Sequence, residues 1–160
     1  MNLSDIYTIR NGKRVRLTTV EVDALPQITL EDLKANLKAE VNQLRDTKLE
    51  AGFAHDFGEP HGVKVMDTRN VNDRVNWIGG MLIYQGHIAA GNGDVVGAKI
   101  RTADNINISL SYKAAAAAIS AVGDYANAIL NNSWTLKDAI SAAPDEAALA
   151  AIDITTGWPG

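Results

Sequence analysis

The chain has no cysteine. Disulfides, thiolate metal sites and cysteine nucleophiles are therefore excluded, and the redox compartment is left open. No apolar run approaches the ~18 residues that cross a bilayer; the alanine run at 114–118 is too short and too weakly hydrophobic. The first residues, Met1-Asn-Leu-Ser-Asp, lack the basic region and apolar stretch of a signal peptide. There is no internal repeat, no long low-complexity linker and no heptad run of coiled-coil length. A strong charge of either sign is missing too: Lys and Arg number 15, Asp and Glu 19, for a net charge of −4. That mild acidity favours solubility and argues against a nucleic-acid-binding surface. The expectation is a protein made and kept in the cytoplasm, or carried out as part of a larger assembly, with no membrane span and no nucleic-acid partner.

At 160 residues the chain suits one domain with a small appendage. Such a domain buries roughly 70% of the surface its unfolded chain exposes, so it needs no metal or disulfide staple. Ile6-Tyr-Thr-Ile-Arg-Asn-Gly-Lys-Arg-Val-Arg-Leu is a hairpin signal, because Asn11-Gly12 suits a type I′ turn. The alternation from Thr18 to Leu25 extends its second strand, and Pro26 closes the module. The basic residues from Arg10 to Arg16 read as a solvated strand face. A lone hairpin is marginal in water, so residues 1–25 must pack on the rest of the chain or on a partner.

Thr29 with Asp32 forms a capping-box pair for a helix whose stripe is Leu30, Leu33, Leu37, Val41 and Leu44. Lys34, Lys38, Glu40, Arg45 and Lys48 fall on its wet face, and Gly52 ends it. Phe53 to Met66 is a second hairpin around Gly58-Glu-Pro-His-Gly62. Asp67 is expected to cap a helix from about Thr68 to Ala90, with a core stripe of Val71, Val75, Ile78, Leu82 and Ala89 widened by Trp77 and Met81. Gly79-Gly80 must either be closely packed or break that helix. A third hairpin spans Val95 to Leu110, with Ile106, Ile108 and Leu110 on one face. Ser111 caps a helix to about Asn131, with Ile119, Val122, Ala126, Ile129 and Leu130 as its apolar positions. Ser133 or Thr135 starts a short helix to Ala143, and Pro144 opens a last one with Asp145 and Glu146 at its positive end. Local antiparallel pairs between helices predict an α+β fold, with helices interleaved with antiparallel β-hairpins. The expected organisation is one compact domain at 27–160 and an N-terminal hairpin attachment module at 1–26.

Reactive constellations are scarce. His55, Asp56, Glu59 and His61 supply ligand types suited to zinc, yet they span a hairpin turn, where polar residues collect anyway. They remain weak metal candidates, and an enzyme using them is the least favoured reading. Gly91-Asn-Gly-Asp-Val-Val-Gly97-Ala-Lys99 fails as a phosphate loop, because a strand follows it and no Lys-Ser/Thr does. His87 near a helix end needs no ligand role, and no serine stands in Gly-x-Ser-x-Gly. No catalytic residue, cofactor or small-molecule substrate is expected. Trp77 and Trp134 stand beside apolar positions and read as core. Trp158, in the terminal Gly-Trp-Pro-Gly, either docks into its own domain or anchors a partner. The candidate partner-binding residues are Trp158 and Pro159 in the tail and Ile6, Tyr7 and Ile9 in the hairpin.

Several stretches together resemble a known family. They are Leu44-Arg-Asp-Thr-Lys-Leu-Glu-Ala-Gly-Phe53, Met66-Asp-Thr-Arg69, Arg101-Thr-Ala-Asp-Asn-Ile106, Trp134-Thr-Leu-Lys-Asp-Ala-Ile and Ala151-Ile-Asp-Ile-Thr-Thr-Gly-Trp-Pro159. In this order, from about Leu30 to Trp158, they resemble a phage and prophage domain of unknown function encoded near tail-fibre genes. The Asp153-Ile154 and Trp158-Pro159 ending is also similar, over fewer than ten residues, to the ends of tail-fibre assembly chaperones. The resemblance implies a setting in a phage or phage-derived tail, with other tail or fibre proteins as partners and room for a homo-oligomer. It implies location in the host cytoplasm during assembly and then in the virion tail. Two roles fit: a structural protein of the tail tip, baseplate or fibre, or an assembly chaperone. The family carries no catalytic residues to transfer.

Overall fold

The computed structural model describes residues 7–10, 13–16, 18, 20 and 28–159. Among these residues the chain is α+β, as expected, with four helices interleaved with three antiparallel hairpins. Strands β1 (Tyr7–Arg10) and β2 (Lys13–Arg16) pair with Tyr7 opposite Arg16 and Arg10 opposite Lys13. The turn at Asn11-Gly12 lies outside the described residues. The longer second strand expected through Leu25 is not found: β2 stops at Arg16 and Val20 is helical, the rest of that stretch being largely outside the described residues. In this register, ladder partners for residues beyond Arg16 would have to come from before Tyr7.

Helix α1 (Leu30–Glu50) begins with the expected capping box. The Thr29 hydroxyl accepts from the Asp32 N–H at 3.1 Å, and the Asp32 carboxylate accepts from the Thr29 N–H at 2.9 Å. Hydrogen bonds from the Thr29 hydroxyl and then its N–H hold the Asp32 carboxyl below its ordinary range. Val41 is fully buried on the apolar stripe. Lys34 corrects the pattern: it is buried, not on the wet face, and its ammonium donates to the Glu31 carboxylate at 3.1 Å and the Ser141 carbonyl at 3.3 Å. Its long stem covers apolar surface while the head finds acceptors. Gly52 (φ +83°) ends the helix in the left-handed region, against Val65 and the Met66 carbonyl.

Strands β3 (Phe53–Asp56) and β4 (Val63–Met66) follow, with Phe53 opposite Met66. The buried Thr68 hydroxyl then donates to the Leu49 carbonyl, tying the segment after β4 to the end of α1. Helix α2 (Val71–Ala89) is capped by Asn70, not Asp67. Asn70 and Asp73 form a full reciprocal box, at 3.1 and 3.2 Å, which Asp67 cannot match; the Asp67 carboxylate pairs with Arg69 at 2.7 Å. Gly79-Gly80 does not break α2. The Ile119 side chain approaches Gly80, while nothing lies close to Gly79.

The third hairpin joins β5 (Val96–Arg101) and β6 (Asn107–Ser111), with Ile100 opposite Ile108 and a register shift between Val96 and Ala98. The hairpins form three separate two-stranded sheets among the described residues. The second and third meet at one end, where the Ala103 N–H donates to the Val65 carbonyl at 2.8 Å and Lys64 pairs with Asp104 at 2.8 Å.

Ser111 caps α3 (Tyr112–Ala142), accepting from the Ala114 N–H at 3.2 Å. The two helices expected here are one helix of 31 residues. Ser133 and Thr135 are interior positions, not caps. Their hydroxyls donate back to the Leu130 and Asn131 carbonyls at 2.8 and 3.0 Å, which satisfies them without ending the helix. Pro144 is the first residue that must stop it. The last helix, α4 (Glu146–Ala150), is capped by Asp145, so Pro144 stands before it and not inside its first turn.

The long α3 carries two cores. Its first half packs Ala115, Ala118, Ile119 and Val122 with Met66, Ala98 and Ile100. Its end packs Ile140 and Ala143 with Val41 of α1 and Leu149 of α4. No helix is long and apolar enough to cross a membrane among the described residues.

Candidate functional site

Helix α2 is the unusual element. From Val75 to Ala89 it contains no Asp, Glu, Lys or Arg. A stretch this poor in charge is ordinarily buried on most sides, and this one is not. Trp77, Met81 and Tyr84 face the first core. On the other side Val71, Val75, Ile78, Leu82 and Ile83 are 56–70% exposed. The sequence pattern assigned Val71, Val75, Ile78 and Leu82 to the core, and the structure reverses that face. The reason lies in the competing side. Trp77 is larger, and its indole N–H donates to the Asp67 carbonyl at 2.6 Å. The Tyr84 hydroxyl likewise donates to the Lys99 carbonyl at 3.2 Å. These bonds and the aromatic area turn that side inward.

The open face borders a groove of about 490 Å³ between α2 and α3, with Trp77, Ile78, Met81, Leu82, Ile119 and Val122 among its walls. Polar groups close one end, where Arg74 donates to the Thr68 carbonyl at 2.9 Å. A second hollow, about 410 Å³, lies between α2 and the third hairpin and is more polar. Of its charged members, Asp67 pairs with Arg69, Asp73 closes the helix cap and Arg101 donates to Asn105 at 3.2 Å, with Lys99 as the fourth.

The residues singled out from sequence lie elsewhere. The His55 ring sits against Phe57 and Phe53, with centroids at 4.6 and 6.1 Å. The Asp56 carboxylate accepts from the Gly58 N–H at 2.9 Å, and Glu59 is exposed. Neither these residues with His61, nor any other His, Asp or Glu side chains among the described residues, gather into a group that could hold a metal ion. The His87 ring stacks on Tyr112 at 3.9 Å, and the glycine loop at 91–94 leads into β5 with Lys113 paired to Asp94 at 3.0 Å. Trp134, expected in the core, is 55% exposed, because the inward positions of that part of α3 are Ile129, Ser133 and Ile140.

Trp158 is half-buried against the second core, and its indole N–H donates to the Ile154 carbonyl at 2.9 Å. Asn132 fixes the same tail by donating to the Thr156 carbonyl at 3.1 Å. Pro159 beside it is half-buried. Ile6 lies outside the described residues, as do the side chains of Tyr7 and Ile9. Among the described residues, the structure therefore gathers none of the sequence-named side chains into one site. The open α2 face escaped sequence reasoning, although the absence of charge from Val75 to Ala89 was its signal.

A family model described as "Domain of unknown function (DUF4376)" matches residues 32–156. No curated protein and no solved structure matches the chain.

Proposed function

The chain belongs to the DUF4376 family, and we propose that it is a structural protein of a bacteriophage or phage-derived tail, at the tip, baseplate or fibre, working by protein–protein contact. The observation that carries the contact role is the charge-free, solvent-open face of α2. Apolar patches of this kind on soluble domains mark sites of association. The setting rests on the resemblance of the ordered segments between Leu30 and Trp158 to a domain encoded near tail-fibre genes.

The test is mass spectrometry of purified phage or tail particles, with copy number per particle. A fixed multiple of three or six is the expected result and places the protein in fibre or baseplate symmetry. Absence from particles, with the protein abundant in the lysate, overturns the structural reading in favour of an assembly chaperone.

A further inference from the structure

We propose that Asn92 is a self-modifying site. The Gly93 backbone nitrogen attacks the Asn92 side-chain amide, and the asparagine becomes aspartate or isoaspartate with no enzyme involved. This chemistry needs no partner protein and is independent of the contact role of α2.

The attack closes a five-membered ring between an asparagine side chain and the next peptide nitrogen, so a side chain on the following residue stands in the way. Glycine has none and leaves its peptide unit the greatest freedom. Asn92-Gly93 is the single Asn-Gly pair among the described residues, where every other asparagine precedes a residue with a side chain. The chain's second such pair, Asn11-Gly12, lies outside the described residues.

The structure leaves both reacting groups unengaged. Asn92 is exposed, and its side-chain amide bonds to no described residue. Gly93 is buried against the Lys113 stem, and its N–H finds no acceptor among the described residues. A buried donor without a partner is costly, and ring closure removes it, because the nitrogen gives up its proton as it bonds. The groups on either side are all in use. Helix α2 ends at Gly91 in the left-handed region (φ +81°), with the Gly91 N–H donating to the Ile88 carbonyl at 3.0 Å and the Asn92 N–H to the His87 carbonyl at 2.9 Å. The Val95 N–H then donates to the Asn92 carbonyl at 3.0 Å, and the Lys113 N–H to the Gly93 carbonyl at 2.9 Å. Other asparagines are held: the Asn70 side chain caps α2, Asn105 accepts from Arg101, and Asn132 donates to the Thr156 carbonyl.

Solvent hydroxide takes the Gly93 amide proton, and the nitrogen bonds to Asn92 Cγ. The bond from Cγ to the side-chain nitrogen breaks, and ammonia leaves with a proton from water. Water then opens the cyclic imide. Breaking the new Cγ–N bond gives aspartate; breaking the original peptide bond gives isoaspartate, whose chain runs through the former side chain. One water enters, one ammonia leaves, and nothing is oxidised or reduced. Either product places a carboxylate at the negative end of the α2 dipole, two residues before Asp94, whose carboxylate already pairs with Lys113. Isoaspartate also adds a backbone carbon inside the turn that the Val95 N–H closes. This loop joins α2 to β5 and, through Lys113, to the start of α3. The modification is therefore a one-way change that loosens a junction of three elements.

The experiment is a time course of the full chain in warm, mildly alkaline buffer, folded and in urea, followed by peptide mapping with mass spectrometry. In the folded sample the Asn92 peptide should gain the mass of an amide-to-acid exchange and split into aspartyl and isoaspartyl forms, before any other described asparagine changes. Asn92→Gln, whose longer side chain would have to close a six-membered ring, should lose both forms and unfold like wild type. Asn92→Asp, which is one of the products, should lower the Tm by about 1–4 °C through its charge at the helix end; an unchanged Tm overturns the loosening of the junction. A folded chain whose Asn92 peptide stays intact, while the same peptide converts in urea, overturns the proposal, because the turn then holds the amide away from the nitrogen. Conversion confined to Asn11 overturns it too. A purely aspartyl product at position 92 means direct attack by water and overturns the ring-closing route.

Discussion

Gly52 offers a clean test of how α1 hands over to the second hairpin. It lies at φ +83°, and a Cβ built there would be 2.5 Å from a Val65 methyl and 2.9 Å from the Met66 carbonyl oxygen. Gly52→Ala therefore meets two costs and one gain. The left-handed backbone costs an alanine about 1–2 kcal/mol. Overpacking against a backbone carbonyl, which cannot rotate away as a side chain can, adds about 1–3 kcal/mol. The reduced freedom of the unfolded chain returns about 0.4–1 kcal/mol. The net expectation is a loss of about 2–4 kcal/mol. Gly62 is the control, with φ +60° and nothing within 4 Å of the same built atom. There only the conformational cost and the entropic gain act, so Gly62→Ala should cost about 1 kcal/mol. Urea unfolding of the three proteins, read as midpoint shifts at constant slope, measures both. Equal losses at the two glycines, within about 0.5 kcal/mol, would refute the close packing of Gly52 on β4.

Three further outcomes are expected. Lys34→Met should stay within about 1 kcal/mol of wild type in urea unfolding, because a buried charge exchanged for an apolar stem of similar length loses little, whereas Lys34→Ala should cost more by leaving a void where the buried stem lies. Trp158→Ala should lower stability by about 1–3 kcal/mol and remove a partly shielded component of the tryptophan emission, since the ring packs on the second core; an unchanged urea midpoint would mean that the tail does not dock there. In acid, three carboxyls matter: Asp32 and Asp153 are held low by the Thr29 and Thr155 hydroxyls, and Asp104 chiefly by the Lys64 ammonium. Their folded values lie below their unfolded ones, so their contribution is full above about pH 4 and is lost as pH falls through the lower folded values. The urea midpoint should therefore show no loss from these groups between pH 7 and 5 and fall below about pH 4, and the triple Asp→Asn variant should lose part of that fall.

The features that depend on neighbours in sequence were legible. Thr29 with Asp32, Ser111 before its helix and Gly52 after its own are local devices, and the structure uses each of them. So is the period-two face of Ile108 and Leu110 in the third hairpin, while Ile106, read on the same face, lies before β6 and is exposed. The misreadings arise where two local signals compete. Asp67 and Asn70 can both cap, and the reciprocal bond from Asp73 decides for Asn70. Ser133 and Thr135 have cap chemistry, but in this helix their hydroxyls turn back to carbonyls one turn earlier. Lys34 is unreadable from periodicity altogether. Its burial depends on the Ser141 carbonyl, 107 residues away along the chain.

The face of α2 fails for a different reason, and that reason bears on what the helix does. Periodicity reports that a stripe exists, not which stripe faces inward, and α2 has two. Trp77, Met81 and Tyr84 bury more area and supply two hydrogen bonds to carbonyls, so that side wins the interior. A surface helix whose only task was to cover this core would carry charge on the other side, as α1 does with Glu31, Lys38, Glu40 and Asp46. Instead the outward side carries Val71, Val75, Ile78, Leu82 and Ile83, each more than half exposed. Charged residues there would not disturb the inner packing, since Ile78 and Leu82 are 62% and 70% exposed. The monomer gains little from keeping them apolar and bears the solubility cost. The residues that hold the fold and the residues that leave it open thus sit on opposite sides of one helix, and the open side has the composition of an interior, not of a solvated surface.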